Sequence, residues 1–384
     1  MQFLSVINFA AAVQGIFLAY LLINRRAHAK EYRVLALLLV CMSLTVLGSV
    51  LGLSGYYREL PHLIRVADPL VFLFGSLLFA YMLLLTGRKL RPKFYLHLLP
   101  FLIYTLFTIP FYALTAEEKV RFGEALFIRN EKPGLVFAIQ TLRSIHVGIY
   151  IFACLLLVRK FKAVLQINYS NIDKYNLDKA RFLLRLFLVL LVVAMGIYLI
   201  SLTGSINLII ANNLISLGTS IVIYGLAYAT WNNPQSPTGS QMYVPASVEP
   251  EKKTDTPETK ARTTYNISEE QYLKLSIQLK VLMEETKPYL DSEFSLTGLS
   301  DTLNLMPYLT SELISRYYRS SFFDVVNRLR VEEVKQRLNE PAYKHFSILA
   351  IAMDCGFNSK SSFNTAFKKF TGLTPSQFRQ TEPA

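Results

Sequence analysis

The sequence predicts an all-α protein in two parts: a seven-helix transmembrane bundle, then a smaller soluble domain holding two helix-turn-helix units. Three observations predict it. Seven apolar runs, each about 20 residues long as a bilayer-crossing helix must be, follow one another and stop before Trp231. A stretch rich in Pro, Ser and Thr comes next. The last third then repeats one short design: an apolar helical stripe, a tight turn, and a helix with a polar face.

The runs lie near 3–23, 34–53, 63–85, 94–114, 135–158, 182–202 and 206–230. They account for a hydrophobic content of 52% and a mean hydropathy of +0.32. The first run is read as a span. A cleaved signal peptide would carry its basic residues before the apolar stretch, whereas here they follow it.

The formal charge of +13 invites a nucleic-acid reading, but its distribution argues otherwise. Residues 1–230 hold 22 Lys and Arg against 9 Asp and Glu, residues 231–262 hold 4 against 4, and residues 263–384 hold 14 against 14. The whole excess lies in the apolar part, so it speaks of topology. Basic connections (24–33, 86–93 and 159–181) alternate with connections that are not basic (54–62, 115–133 and 203–205). Lys and Arg excess marks the cytoplasmic side. That predicts a multi-pass protein of the inner (plasma) membrane with its N-terminus outside and everything after Trp231 in the cytoplasm.

Polar residues inside spans are costly and therefore informative. Arg65 and Asp68 open the third span, Arg143 and His146 lie in the fifth, and Asn207, Asn212 and Asn213 mark the seventh. Arg65, Asp68, Arg143, His146 and Asn212 are candidate ligand-sensing residues. The competing reading pairs Asp68 with Arg143 and uses the Asn side chains to join helices. The five histidines show no ligand spacing, so no metal is expected. No cofactor motif is present either. Cys41, Cys154 and Cys355 are too scattered for a disulfide framework and are expected as buried free thiols.

Residues 231–264 are expected to form a flexible cytoplasmic linker, with little to bury and about 30 Å of root-mean-square reach. Helical patterning resumes at Ser268, where Ser268 and Gln271 match a capping box ahead of Leu275, Leu279 and Leu282. Two short helices follow, broken near Asn304–Pro307. A long helix runs through VVNRLRVEEVKQRL and stops at Asn339–Pro341. The second unit has Ile348, Ile351 and Ala352 on its first helix and Gly356 in the turn, where a positive φ is free of steric cost. Ser359 is placed to cap the next helix. Phe363, Phe367 and Phe370 make the apolar stripe of that helix. Its opposite face carries Lys360, Ser361, Asn364, Thr365 and Lys368, a small, polar and cationic surface suited to the major groove.

With those residues in place, 265–384 resembles the DNA-binding domain of AraC/XylS-type transcriptional regulators. The matching positions are Ile351-Ala352, Gly356-Phe357, Ser359, Ser362-Phe363, Phe367-Lys368-Lys369, Gly372, Thr374-Pro375 and Phe378-Arg379, with Arg330 and Val334 in the family's linker helix. Seven spans fused to such a domain resemble membrane-anchored members of this family in bacteria. The resemblance implies helix-turn-helix units at about 295–318 and 346–371. It places Tyr308, Ser311, Glu312 and Ser315 on the base-facing side of the first recognition helix. On the second it places Lys360, Ser361, Asn364 and Thr365, with Lys368 and Lys369 at phosphates or supporting the turn.

Three positions depart from the pattern. Thr365 stands where Arg is common, Met306 replaces a capping residue, and Arg319 replaces a usual Gly. Expected partners are double-stranded DNA, the lipid bilayer, a second copy of the chain and a small-molecule or membrane signal. The alternative is a seven-span receptor or transporter whose helical tail docks a protein partner. An enzyme is not expected, because the soluble part shows no phosphate-cradling Gly loop and no nucleophile–base pair.

Overall fold

The computed structural model describes residues 2–24, 29–129, 131–172, 177–231 and 268–381. Among these the secondary structure is helical, and seven helices are long and apolar enough to cross a membrane. The chain divides into two compact units. The first comprises Met1–Val158 and Leu177–Pro237, and the second Arg159–Asn176 and Thr238–Ala384. The expected linker falls outside the described residues, apart from Trp231.

The first unit is built from α1 (Gln2–Ile23), α2 (Ala29–Ser54), α3 (Val71–Leu85), α4 (Leu99–Tyr112), α5 (Ala116–Gly123), α6 (Pro133–Asn168) as far as Val158, α7 (Leu177–Leu202) and α8 (Leu208–Trp231). Its core gathers around α2, where Leu35, Leu38, Leu39 and Met42 are fully buried against Leu78 and Met82 of α3. Cys154 of α6, Leu184 of α7 and Val222 and Ile223 of α8 complete it. Close approach is part of this packing. A β-carbon at Gly75 would lie 2.5 Å from the Tyr150 ring, so only glycine lets α3 and α6 meet there. The outward faces are equally apolar: Phe107 is 69% exposed, Phe152 63% and Val192 62%. A soluble protein rarely presents so continuous an apolar surface, whereas lipid tails are its natural solvent.

The third, fourth and fifth spans differ in form from the sequence expectation, the fourth opening as a 3₁₀ helix over Pro92–Leu98. The third does not begin as an α-helix. Residues 61–63 and 68–70 form short 3₁₀ turns with Pro61 and Pro69 in their first two positions, because proline fixes φ and lacks the N–H that a continuous helix would use. The fifth runs on past Val158 to Asn168 and measures about 54 Å at 1.5 Å per residue, well beyond a hydrocarbon core of about 30 Å. Its last residues keep a buried stripe through Phe161, Val164 and Leu165. That stripe sustains the helix after its membrane-length run ends.

The second unit contains α9 (Glu269–Val281), α10 (Leu296–Leu303), α11 (Pro307–Tyr318), α12 (Phe322–Asn339), α13 (Ile348–Asp354), α14 (Lys360–Thr371) and α15 (Pro375–Thr381). The long helix α12 serves two cores. Its first half gives Phe322, Val325 and Val326 to a cluster with Leu279, Leu296, Leu299, Leu313 and Ile314. Its second half gives Val331 and Val334 to a cluster with Ile351, Ala352, Phe357, Phe363 and Phe367. Each helix-turn-helix pair thus owns one core, and α12 joins them.

Candidate nucleic-acid interface and intramembrane cavity

Short-range chemistry positions the helices of the second unit. Ser268 caps α9 with Gln271 returning the bond, the capping box expected from the sequence. Ser295, Ser321, Ser347 and Ser359 cap α10, α12, α13 and α14 by accepting the backbone N–H three residues on. Thr374 does the same for α15, taking the Gln377 N–H at 3.3 Å. The exception is α11. Met306 stands at its N-cap without a side-chain bond, and Pro307 follows at the first helical position, removing one unsatisfied donor rather than bonding it. Its other end, Arg319, is held at φ 51, a left-handed conformation that favours glycine.

The second recognition helix, α14, is seated by Phe363 and Phe367, both buried, and by Ala366. Phe370 packs partly against the same core. Lys360, Ser361, Asn364, Thr365, Lys368 and Lys369 are exposed on its other sides. Lys360 and Lys368 have no ion pair among the described residues. Lys369 differs, because its Nζ lies 2.7 Å from Asp324 Oδ1 at the start of α12. That contact fastens α14 to the long helix. In α11, Glu312 and Ser315 are exposed, while Tyr308 and Ser311 are half-buried. Leu313, Ile314 and Thr310 face the core.

The turn before α14 is fixed by one crowded point. Gly356 has φ 90, and a β-carbon there would fall 2.8 Å from Arg330 Nε and from the carbonyl oxygens of Tyr289 and Leu290. Arg330 itself is buried. It donates to the Tyr289 carbonyl at 2.6 Å, the Asp291 carbonyl at 2.8 Å and Ser170 Oγ at 3.0 Å. Burial pulls its guanidinium down to about 10, which leaves it charged at neutral pH. Nearby, burial would raise the Glu333 carboxyl, but hydrogen bonds from Lys287 at 2.8 Å and Arg337 at 3.0 Å outweigh it and hold the group below the usual range. Cys355 is a buried free thiol pushed up to about 12 by desolvation, as Cys41 and Cys154 are also buried and free.

The rest of the motif is structural. Phe378 meets Phe367 at 5.5 Å between ring centroids, and Arg379 donates to the Lys344 carbonyl at 3.0 Å and the Phe346 carbonyl at 3.4 Å. The ending from Thr374 to Arg379 therefore clamps α15 over the second core.

In the first unit, four of the five polar candidates come together. Arg65, Asp68, Arg143 and Asn212 line one cavity of about 270 Å³ between α2, α3, α6, α7 and α8. His146 is not among its lining residues. It packs edge-to-face instead against Phe72 and Tyr150, at 5.3 and 5.0 Å between centroids. Asp68 Oδ2 lies 3.0 Å from Arg65 Nε and 3.6 Å from an Arg143 nitrogen, so the pairing anticipated for Asp68 exists but is shared between two cations. Tyr104 joins them, accepting from Arg65 at 3.1 Å and Arg143 at 2.7 Å.

Tyr104 carries no signal of this role in the sequence. A tyrosine in an apolar span looks like packing until its partners are known. Tyr198 is likewise recognisable only by its partner, donating to Asn212 Oδ1 at 2.9 Å. Asn213 joins helices as expected of such residues, donating to the Ser49 carbonyl at 3.1 Å and accepting from Asn8.

Comparison with known proteins bears on the second unit. Residues 299–381 match a family model described as a helix-turn-helix domain. The regulatory protein PocR of Salmonella typhimurium is 27% identical over 103 residues, which are 27% of this chain and 33% of the relative. The chain thus spans about a third of that relative's length. Among solved structures, a Listeria innocua protein of unknown function is 26% identical, with a TM-score of 0.25, covering 28% of this chain and 98% of its own. The C-terminal domain of AraT, a response regulator from Geobacillus stearothermophilus, is 23% identical, with a TM-score of 0.24, covering 31% and 91%. Together with the capped, Phe-seated helix α14 and the Gly356 turn, the match makes residues 299–381 similar to a helix-turn-helix domain.

Proposed function

We propose that this chain is a membrane-bound one-component transcription regulator: its seven-span unit senses a signal, and its C-terminal unit binds specific DNA through α11 and α14. The observation that carries the reading is the face of α14. Lys360, Ser361, Asn364 and Thr365 stand exposed on a helix whose other face is locked by Phe363 and Phe367. Asn suits adenine and Lys suits guanine in the major groove, each good pair contributing about 1–3 kcal/mol of discrimination. The basic connections support a cytoplasmic C-terminal unit, for which residues 231–264 would serve as the tether. Two copies of the chain on repeated half-sites would supply the affinity that a domain of balanced charge lacks on its own.

The test is a footprint of the full-length protein in nanodiscs on the DNA upstream of its own gene. Lys360→Ala combined with Asn364→Ala is expected to weaken specific binding at least about tenfold while leaving the thermal melt unchanged. Undiminished occupancy by the double variant would favour a protein-docking role for the domain.

A further inference from the structure

The intramembrane cavity holds an unbalanced charge. Two largely buried guanidiniums, Arg65 and Arg143, face one carboxylate, Asp68, leaving a net positive charge in a half-open cavity. The neighbouring charges do not correct it. Glu124 is engaged by Arg58 at 2.8 Å and by the Tyr57 hydroxyl at 3.3 Å, and Lys119 is bonded to the Tyr112 carbonyl and His62.

Aromatic faces cover part of the excess. Arg143 lies 4.8 Å from the Tyr104 ring centre and Arg65 lies 5.2 Å from that of Phe111. Such contacts are weaker than the desolvation of a buried cation. One donor is left over, because Arg143 Nε is buried and has no hydrogen-bond partner. Arg143 is only 8% exposed, so bulk water does not satisfy it.

The rest of the lining is apolar, with Phe74, Phe187, Leu190 and Leu191 among it, and Asn212 and Ser216 at one side. The volume of about 270 Å³ is not quite twice that of a cavity of ~150 Å³ known to take benzene.

We propose that this cavity binds a monoanionic amphiphile, its headgroup held by Arg143 and Arg65 and its short apolar chain lying among Phe74, Phe187 and the leucines of α7. The inference names the ligand class for the sensing role proposed above and rests on that role only for its link to DNA. The headgroup can arrive on a free carboxylate or on an anionic lipid, and the two sources are separable.

Thermal unfolding of the full-length protein in phosphatidylcholine nanodiscs, titrated with octanoate, octanol and octylammonium, tests it. Octanoate is expected to raise the melting temperature with rising concentration, as a ligand of the folded state must, and the neutral and cationic analogues are not. Arg143→Gln is expected to weaken the octanoate response at least about tenfold. Asp68→Asn, which removes the competing carboxylate, is expected to strengthen it several-fold and guards against a misfolded Arg143 variant. If phosphatidylglycerol discs raise the melting temperature of the parent protein but not of Arg143→Gln, and abolish the parent's octanoate response, the site stands with lipid as its source. Equal shifts with all three amphiphiles would overturn the proposal, as would the lack of any octanoate shift in both the parent and Asp68→Asn. A shift that leaves the promoter footprint untouched would uphold the site and count against the sensing role.

Discussion

Gly356 illustrates how much one residue can carry. Its φ of 90 belongs to the region where a side chain meets the backbone, and its missing β-carbon leaves room for Arg330 and two carbonyl oxygens at 2.8 Å. Alanine there adds left-handed strain of about 1–2 kcal/mol and a contact with backbone that has little room to move. Gly356→Ala is therefore expected to destabilise the second unit by at least about 2 kcal/mol. Limited proteolysis of the intact protein should show faster cleavage within 346–371, and unchanged protection would refute the argument. The need for glycine was legible in the sequence as a turn residue; the crowding by Arg330 was not, because Arg330 is 26 positions away in the chain.

At the scale of the element, the two recognition helices begin differently. Ser359 caps α14 through the Ser362 N–H at 3.1 Å, whereas α11 starts on Met306 without a side-chain bond. A missing cap is worth about 1 kcal/mol. Met306→Ser keeps Pro307 at the first position and supplies an acceptor for the open N–H groups. It is expected to stabilise the unit by about 1 kcal/mol in denaturant unfolding. Under the DNA-binding role proposed above, it should also steady Glu312 and Ser315 and sharpen the footprint of the half-site assigned to α11. A variant no more stable than the parent would mean that Pro307 alone suffices. The uncapped start was visible in the sequence. The engagement of Lys369 by Asp324 was not, since nothing in helical spacing links residues on different helices.

On the scale of the whole molecule, the chain enters the second unit twice. Ser170, in the stretch after the fifth span, accepts from Arg330 at 3.0 Å, donates its hydroxyl to the Phe294 carbonyl at 2.6 Å, and its carbonyl accepts from Asn327 at 3.3 Å. Tyr169 and Ser295 form an isolated antiparallel bridge beside it. These bonds fall where α12 passes from one core to the other. Ser170→Ala removes a hydroxyl that bonds twice within a buried site. It is expected to destabilise the second unit by about 1–3 kcal/mol. Under the sensing role proposed above, a reporter assay should show a blunted response to signal with a smaller loss of basal DNA occupancy, and an equal loss of both would argue for a purely structural contact.

The sequence by itself determined the all-α class, the seven apolar runs, the capped helices of the C-terminal unit and the polar face of α14. These follow from periodicity, from the bilayer's demand for satisfied backbone and from residues that act on their immediate neighbours. Tertiary structure alone decided that Arg65, Asp68, Arg143 and Asn212 share a cavity while His146 turns to an aromatic cluster. It alone decided that Ser170 completes the shell of Arg330. The physical reason is range: caps and stripes are set within a few residues, but a cavity or a buried guanidinium draws its partners from helices far apart in the chain, and only packing brings them together.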